Sequence, residues 1–226
     1  MPTVATKRLD EEIHRDVLAE LEWEPRIQPN EVGVVVKDGV VTLTGWVDSF
    51  SKKWWAERAA HRVRGVTAVA NDIEIRLPGS AERTDADIAA AVTQALDSDT
   101  SVPIRNLHVT VSKGWVTLLG EVDWHFQSTD AERAVRRLKG VKGVSNHIKV
   151  NPRPRPSTHV LKQQIEDALV RSASTDADRI SVEVAGGKVT LKGAVRSFVE
   201  RQEAERAAWS APGVPAVENQ IVVTTS

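Results

Sequence analysis

The chain has 226 residues, of which 30 are basic and 31 acidic, and it contains no cysteine. The lack of cysteine excludes disulfides and thiolate metal or redox sites, and the balanced charge argues against a nucleic-acid binder that works by neutralising phosphates. No apolar run is long enough to span a bilayer, and the N-terminal residues lack the features of a secretory signal. We therefore expect a cytoplasmic protein that can still act peripherally at a membrane.

One nine-residue pattern occurs three times and divides the chain into three units. Its copies are KDGVVTLTG, SKGWVTLLG and AGGKVTLKG, and their glycines recur at intervals of 75 and 73 residues. A repeat of this kind indicates tandem copies of one small module. We expect the units to span residues 1–78, 79–152 and 153–226, and each is close to neutral.

Each unit begins with the pattern of an amphipathic helix. In unit one, Asp10 is the expected N-cap, and Ile13, Val17, Leu18 and Leu21 fall on one helical face. The equivalent apolar stripes in units two and three are Ile88, Val92 and Leu96, and Leu161, Ile165 and Leu169. The pattern predicts the same first helix in all three units.

A β-hairpin is predicted next in each unit. In unit one, alternating valines lead into Asp38-Gly39, and a second alternating run follows. Asp-Gly favours a two-residue type I′ turn, in which both central residues have positive φ. Lys113-Gly114 and Gly186-Gly187 occupy the same place in the other two units.

A second helix and a third strand complete each unit. The helix carries the sequence AERA, whose alanines predict close packing of helix on sheet, and Gly65, Gly140 and Gly213 are expected to end the helices as C-cap residues. The third strand is predicted over Val66–Ile75 in unit one. The predicted fold is therefore α+β, with three tandem helix–strand–strand–helix–strand modules of two layers each.

Nine glycines are expected to have structural roles, because turns and close backbone approaches explain their positions. They are Gly39, Gly45, Gly65, Gly114, Gly120, Gly140, Gly187, Gly193 and Gly213.

The repeated G-x-V-T-L-x-G strand, the A-E-R-A helix and the G-V-x-x-V-x-N segment that enters the last strand resemble the BON domain. This bacterial module is named for osmotically induced and nodulation-related proteins, and the resemblance covers nearly the whole chain in three copies. It implies a stress-related protein, since family members are commonly exported and are associated with anionic phospholipid or with envelope stress. A cytoplasmic relative with one such module binds potassium.

No arrangement of residues indicates catalysis. Asp48 and Asp123 follow the closing glycine at the same offset, but Arg196 stands there in unit three. The six histidines do not recur at aligned positions, which favours scattered surface histidines over a metal site. We therefore expect a protein that is not an enzyme, with no catalytic residues, metal site or cofactor.

The seven tryptophans do not align under the repeat, so the shared fold does not require them. Tryptophans specific to one unit point to contacts between units, between chains or with a ligand. The second helix of unit one combines two of them with a basic face, a composition that suits an anionic membrane surface. The candidate lipid-binding residues are Lys52, Lys53, Trp54, Trp55, Arg58 and Arg62.

A structural interpretation of the same helix is that Trp54 and Trp55 pack against a neighbouring unit while the lysines are solvated. Three functions therefore stay open from the sequence. The leading one is a non-catalytic stress protein that binds anionic phospholipid. The alternatives are a binder or sensor of a monovalent cation such as potassium, through backbone carbonyls, and a protein-interaction scaffold or homo-oligomer.

Overall fold

The computed structural model describes residues 9–28, 30–79, 83–152, 157–172 and 179–224. Within these ranges the chain forms three similar units, each with two helices on one small mixed sheet. The predicted α+β class and the predicted order of elements are confirmed.

The helices and strands have the following bounds. Unit one contains α1 (Asp10–Trp23), β1 (Val32–Lys37), β2 (Val40–Val47), α2 (Phe50–Arg62), β3 (Ala68–Asn71) and β4 (Glu74–Ile75). Unit two contains α3 (Asp85–Ser98), a short 3-10 helix (Ile104–Asn106), β5 (Leu107–Ser112), β6 (Trp115–Val122), α4 (His125–Arg136) and β7 (Gly143–Val150). Unit three contains α5 (Thr158–Arg171), β8 (Ile180–Ala185), β9 (Lys188–Val195), α6 (Phe198–Trp209) and β10 (Ala216–Val223).

The central strand of each sheet pairs with both of its neighbours. It runs antiparallel to the first strand, through the hairpin, and parallel to the last strand, which the second helix connects to it. In unit one the last strand is split, because the backbone leaves the ladder at Asp72 and Ile73 and resumes as β4. The predicted uninterrupted strand over Val66–Ile75 is therefore wrong at its start and at its middle.

Each unit has its own apolar core between the helices and one face of the sheet. In unit one, Ile13, Val17 and Leu21 from α1 pack with the alanines of α2 and with the inward residues of β2. Leu18 was predicted to share the buried face of α1, but it is 36% exposed and lies at the edge of that face. Three separate cores explain why the repeat is visible in sequence, since each unit must bury the same stripes.

The three hairpin turns have the predicted geometry. Asp38 and Gly39 have φ values of 53° and 78°, Lys113 and Gly114 have 52° and 81°, and the two glycines of unit three also have positive φ. These angles are those of a type I′ turn, whose twist matches that of the flanking strands. Lys113 therefore adopts the left-handed conformation in spite of its side chain.

Asp10 has a role different from the predicted one. The residue at the N-cap is Leu9, and the carboxylate of Asp10 instead accepts hydrogen bonds from the backbone N–H groups of Asp38 and Gly39, at 2.7 and 2.9 Å. Asp85 receives the same two bonds from Lys113 and Gly114, each at 2.8 Å. An acidic residue in the first turn of the helix thus holds the hairpin turn in these two units.

The predicted C-cap glycines lie farther along the chain than a C-cap. Val63, Arg137 and Ser210 are the C-cap residues, and the glycines follow two or three residues later, with φ near +90°. There the chain turns towards its last strand and touches the hairpin turn: a Cβ on Gly39 would lie 3.0 Å from the carbonyl oxygen of Gly65. The close approach of two turns explains the glycines.

Candidate functional site

The second helices of the three units contact one another in a ring. The first residues of these helices, Phe50, His125 and Phe198, are equivalent under the repeat, and so are His61, Arg136 and Trp209 near their ends. In each contact the start of one helix meets the end of the next. The ring thus joins α2 to α4, α4 to α6 and α6 back to α2.

Aromatic rings make two of these contacts. The rings of His61 and Phe198 have centroids 4.1 Å apart, and those of His125 and Trp209 are stacked at 4.0 Å with an angle of 10°. The third contact has a different composition. Phe50 packs against the core of unit two, and the guanidinium of Arg136 lies 3.7 Å from the ring centroid of Trp54.

Lys52 and Arg62, two of the predicted lipid-binding residues, form ion pairs inside unit one. The ammonium of Lys52 lies 3.1 Å from carboxylate oxygens of both Glu31 and Asp48. Burial alone would lower the pKa of Lys52, but its hydrogen bonds to Asp48 and Glu31 raise it above the usual value. Arg62 pairs with Glu20 at 2.5 Å. The positive charge of these two residues is therefore largely compensated.

Lys53 and Arg58 have neutral partners instead. Lys53 donates to the backbone carbonyl oxygen of Ile73 at 2.9 Å, and Arg58 donates to the side-chain oxygen of Gln202 in unit three. Burial lowers the pKa of the Arg58 guanidinium, and the charge of Arg62 acts in the same direction, while the carboxylates of Glu57 and Glu203 oppose both. Within the described ranges, neither residue forms an ion pair with an acidic side chain.

Trp54 and Trp55 are half-buried and stand edge to face, with ring centroids 4.8 Å apart. Trp55 packs against the core of unit one beneath the guanidinium of Arg26, which is 4.1 Å from its ring centroid. Trp54 lies between units, with Arg136 of unit two on its ring and Arg58 at 5.3 Å. The structure thus assigns Trp54 to an inter-unit contact and Trp55 to its own unit.

A cleft of about 800 Å³ lies beside the ring of helices, and all three units contribute to it. Unit one contributes Arg58, unit two contributes Trp124 and Phe126 at the start of α4, and unit three contributes residues of α6 that include Trp209. Sequence reasoning did not identify the cleft, because the repeat does not show how the three units pack against one another. The arginines of the three AERA sequences, Arg58, Arg133 and Arg206, all line it. A further signal is the aromatic sequence WHF at the start of α4, which the other units lack.

Two histidines were expected on the surface but lie in the ring. His61 and His125 are half-buried, and burial lowers the pKa of both imidazoles. The prediction of surface histidines is wrong for them, because the faces that bury them belong to another unit. Elsewhere in the described ranges, no group of three or more metal-ligating side chains occurs.

The BON domain family model matches three segments of the chain, residues 9–76, 84–152 and 157–225. This protein belongs to the BON domain family. The resemblance of its three repeated motifs to that family is thereby confirmed.

Two proteins are similar to this BON protein over most of their own length. Osmotically-inducible protein Y of Escherichia coli is 33% identical over 144 residues, which are 62% of this chain and 72% of that protein. A protein described as the uncharacterized protein in the gshII 5' region of Anaplasma centrale is 29% identical over 126 residues, which are 54% of this chain and 82% of that one.

Solved structures of CdsD, a structural protein of the type III secretion system of Chlamydia trachomatis, also match this BON chain. One match is 14% identical and covers 94% of this chain and 92% of the other, with a TM-score of 0.27, and the second is 12% identical with a TM-score of 0.26. Scores this low support no conclusion about its structure or function. Among the described helices, none has the length and apolar character needed to cross a membrane.

The recurring asparagine of the BON repeat joins the last strand to the second helix. In unit one, the side-chain amide of Asn71 donates to the carbonyl oxygen of Lys53 at 3.1 Å and to Glu57 at 3.0 Å. Asn146 and Asn219 make the equivalent bonds to the helices and AERA glutamates of their own units. The asparagine and the AERA glutamate that recur in all three copies therefore join the last strand to the second helix within each unit.

The remaining tryptophans of this BON protein lie away from the ring. Trp115 covers Gly143 on the outer face of the second sheet and donates its indole N–H to Ser145 at 2.8 Å. Trp46 is half exposed and faces Arg76, while Trp23 is 83% exposed at the end of α1. Trp115 thus has a packing role, and Trp23 is the most solvent-accessible indole in the described chain.

Proposed function

We propose that this protein takes part in osmotic stress physiology as a non-catalytic binding protein. It associates with anionic phospholipid surfaces through α2. The similarity to osmotically-inducible protein Y, at 33% identity over 144 residues, supports the connection to osmotic stress. The use of the recurring asparagines and AERA glutamates for bonds within each unit supports a binding role rather than a catalytic one.

The observation that carries the lipid proposal is that Lys53 and Arg58, on either side of Trp54, each donate to a neutral oxygen and form no ion pair among the described residues. A cation outside a direct ion pair attracts an external anion more strongly than a paired one, because internal charges cancel less of its field. Indoles and basic side chains together favour the headgroup region of an anionic bilayer. Lys52 and Arg62 contribute less, since carboxylates already compensate them.

The proposal predicts that the double variant Lys53→Gln/Arg58→Gln binds anionic vesicles more weakly. Each basic residue near such a surface is worth about 1 kcal/mol, so we expect the partition constant to fall by about ten- to thirtyfold. Flotation with phosphatidylserine-containing and pure phosphatidylcholine vesicles measures it, at low and at physiological salt.

The matched control is Lys139→Gln/Lys149→Gln, which removes the same charge from exposed positions of unit two. We expect this variant to bind like the unaltered protein. Equal loss in both variants would mean that only net charge matters and would contradict a site at α2. An unaltered protein that does not float with anionic vesicles at low salt would overturn the lipid proposal itself.

A further inference from the structure

One face of the second sheet, on the side away from the helices, has no charged side chain over three consecutive rows. We call it the neutral face. The register of β5, β6 and β7 places three rows there: Ser112, Trp115 and Gly143; Thr110, Thr117 and Ser145; His108, Leu119 and His147. Charged residues follow at its ends, where Glu121 opposes Lys149 and Lys113 occupies the hairpin turn. A charged ligand would find no counter-ion within the face.

Unit three shows that the fold itself does not require this neutrality. Lys188 and Lys192 occupy the positions of Trp115 and Leu119, and each forms an ion pair with a glutamate of a neighbouring strand, at 2.5 and 2.6 Å. Trp115 and Leu119 are instead 50% and 44% exposed. Large apolar side chains that are held in solvent where another unit has lysines point to contact with a ligand.

Trp115 lies flat on the sheet and presents one face of its ring to solvent. A Cβ atom on Gly143 would be 2.4 Å from carbons of the indole, so the other face of the ring rests on the backbone of β7. The hydrogen bond from the indole N–H to Ser145, at 2.8 Å, fixes the orientation of the ring. Trp46 is 47% exposed on the first sheet, but the guanidinium of Arg76 lies 5.8 Å from its ring centroid. Among the described residues, no cation lies over Trp115 in this way.

The composition of the neutral face fits a neutral sugar. The C–H groups of a sugar ring stack on an indole, because they carry partial positive charge and the face of the aromatic ring is negative. The hydroxyl of Thr117 and the imidazoles of His108 and His147 both donate and accept hydrogen bonds, as sugar hydroxyls do. An apolar platform bordered by uncharged polar groups therefore matches both parts of a carbohydrate.

The size of the neutral face favours a small ligand over a protein partner. Three strands about 4.8 Å apart and three rows about 6.8 Å apart give an area of about 300 Å². A stable protein interface needs about 800 Å² from each partner. A second copy of this chain would have to bury the charged ends as well, whereas a segment of a few sugars fits within the face.

We propose that the neutral face binds a neutral oligosaccharide, with one sugar ring stacked on Trp115 and the following sugars along Thr117 and Leu119. The site is on the side of the second sheet opposite its helices, so it is separate from the proposed membrane contact of α2. Because binding forms no ion pair, we expect the affinity to change by less than about twofold between low and physiological salt.

Cellohexaose and maltohexaose, two neutral glucose hexamers with different linkages, test the proposal on the full-length chain. Isothermal titration measures the affinity, and tryptophan emission reports stacking on an indole. We expect saturable binding of at least one hexamer at millimolar concentration, together with a change in emission. No saturable binding of either hexamer, or an affinity that falls steeply with salt, would overturn the proposal.

Trp115→Ala removes the platform, and we expect it to weaken binding about tenfold and to abolish the change in emission. The matched control is Trp46→Ala, which removes a similarly exposed indole from the first sheet and should leave both unchanged. Leu119→Lys serves if Trp115→Ala does not fold, since unit three has Lys192 at the equivalent position. It should weaken binding as well. Undiminished binding in Leu119→Lys, or an equal loss in Trp46→Ala, would overturn the assignment.

Sedimentation velocity tests the competing occupant of the neutral face. A dimer that Leu119→Lys abolishes would show that a second copy covers the face, and it would overturn the proposal. A mass that stays monomeric with rising concentration would support a face that is free for a ligand. Vesicle flotation is independent of this site, so Trp115→Ala should float like the unaltered protein, and loss of flotation in that variant would contradict the separation of the two sites.

Discussion

Gly120 shows how little space some positions of the repeat allow. A Cβ atom there would lie 2.1 Å from the carbonyl oxygen of Asn106, and the residue has a φ of +139°. Gly45 and Gly193 have the same conflict with the carbonyl oxygens of Glu31 and Arg179, at 2.1 and 2.0 Å. The glycine that closes the strand motif is therefore required by backbone packing in all three units.

We expect Gly120→Ala to destabilise the protein by about 2 kcal/mol or more, because the methyl group displaces backbone and the residue is strained at positive φ. Urea unfolding followed by far-ultraviolet circular dichroism measures the change. Gly79→Ala is the matched control, since nothing lies within 4 Å of a Cβ at that position, and its effect should stay within about 0.5 kcal/mol. Similar values for both variants would refute the packing argument.

At the scale of elements, the hairpin turn of unit two depends on the first turn of α3. The carboxylate of Asp85 accepts the N–H groups of Lys113 and Gly114, which no strand partner can satisfy at the tip of the turn. We expect Asp85→Ala to destabilise unit two by about 1–3 kcal/mol, through two lost charge-assisted bonds.

Thermal and urea unfolding compare Asp85→Ala with Asp97→Ala, which removes an exposed acidic residue from the last turn of the same helix. A carboxylate near a helix C-terminus is slightly unfavourable, so the control should be neutral or slightly stabilising. Hydrogen exchange of the Lys113 and Gly114 amides should quicken only in Asp85→Ala. Unchanged exchange there would show that the bonds do not hold the turn.

At the scale of the whole molecule, two of the three ring contacts contain a histidine. Burial lowers the pKa of His61 below its usual value of 6.5; the charges of Arg58 and Arg201 act with burial, and Glu57 opposes it. Burial also lowers the pKa of His125, against the charges of Glu205 and Glu132. The folded ring therefore favours neutral imidazoles.

We expect the ring to weaken as the pH falls below 6.5. The unfolded chain takes up protons there before the folded protein does, so stability is lost on acidification and regained towards neutrality. Melting temperatures between pH 7.5 and 5.0 measure the effect. In His61→Phe/His125→Phe the dependence should flatten, while His147→Gln, at an exposed position, should keep it. An unchanged profile in the double variant would exclude these histidines as its cause.

The fold of each unit could be predicted because every element leaves a local pattern. The stripe at Ile88, Val92 and Leu96 repeats with the helix period, and Asp38-Gly39 specifies its turn type through backbone sterics. Local patterns do not show which distant group a polar residue contacts. Asp10 was for that reason predicted to cap its own helix, whereas it binds the turn of a hairpin 28 residues away.

The candidate site could be predicted only in part. The basic helix with Trp54 and Trp55 was visible in sequence, but the pairing of Lys52 with Glu31 and the contact of Arg58 with Gln202 join residues far apart in the chain. The cleft is lined by the equivalent arginines of the three AERA sequences, Arg58, Arg133 and Arg206, but the repeat does not show that these side chains meet at one place. The stacking contact between units two and three is made by His125 and Trp209, at positions where the copies differ.

The ring has a consequence for the order in which the protein is made. Arg58 meets its partner Gln202 only after 144 further residues have been added, because α6 belongs to the last unit. At about 5–20 residues per second, a ribosome needs roughly 7–30 s to supply them. During that time units one and two can fold around their own cores while the end of α2 that carries His61 stays uncovered. A nascent chain thus presents an aromatic and basic helix face to chaperones or to neighbouring nascent chains until the last unit closes the ring.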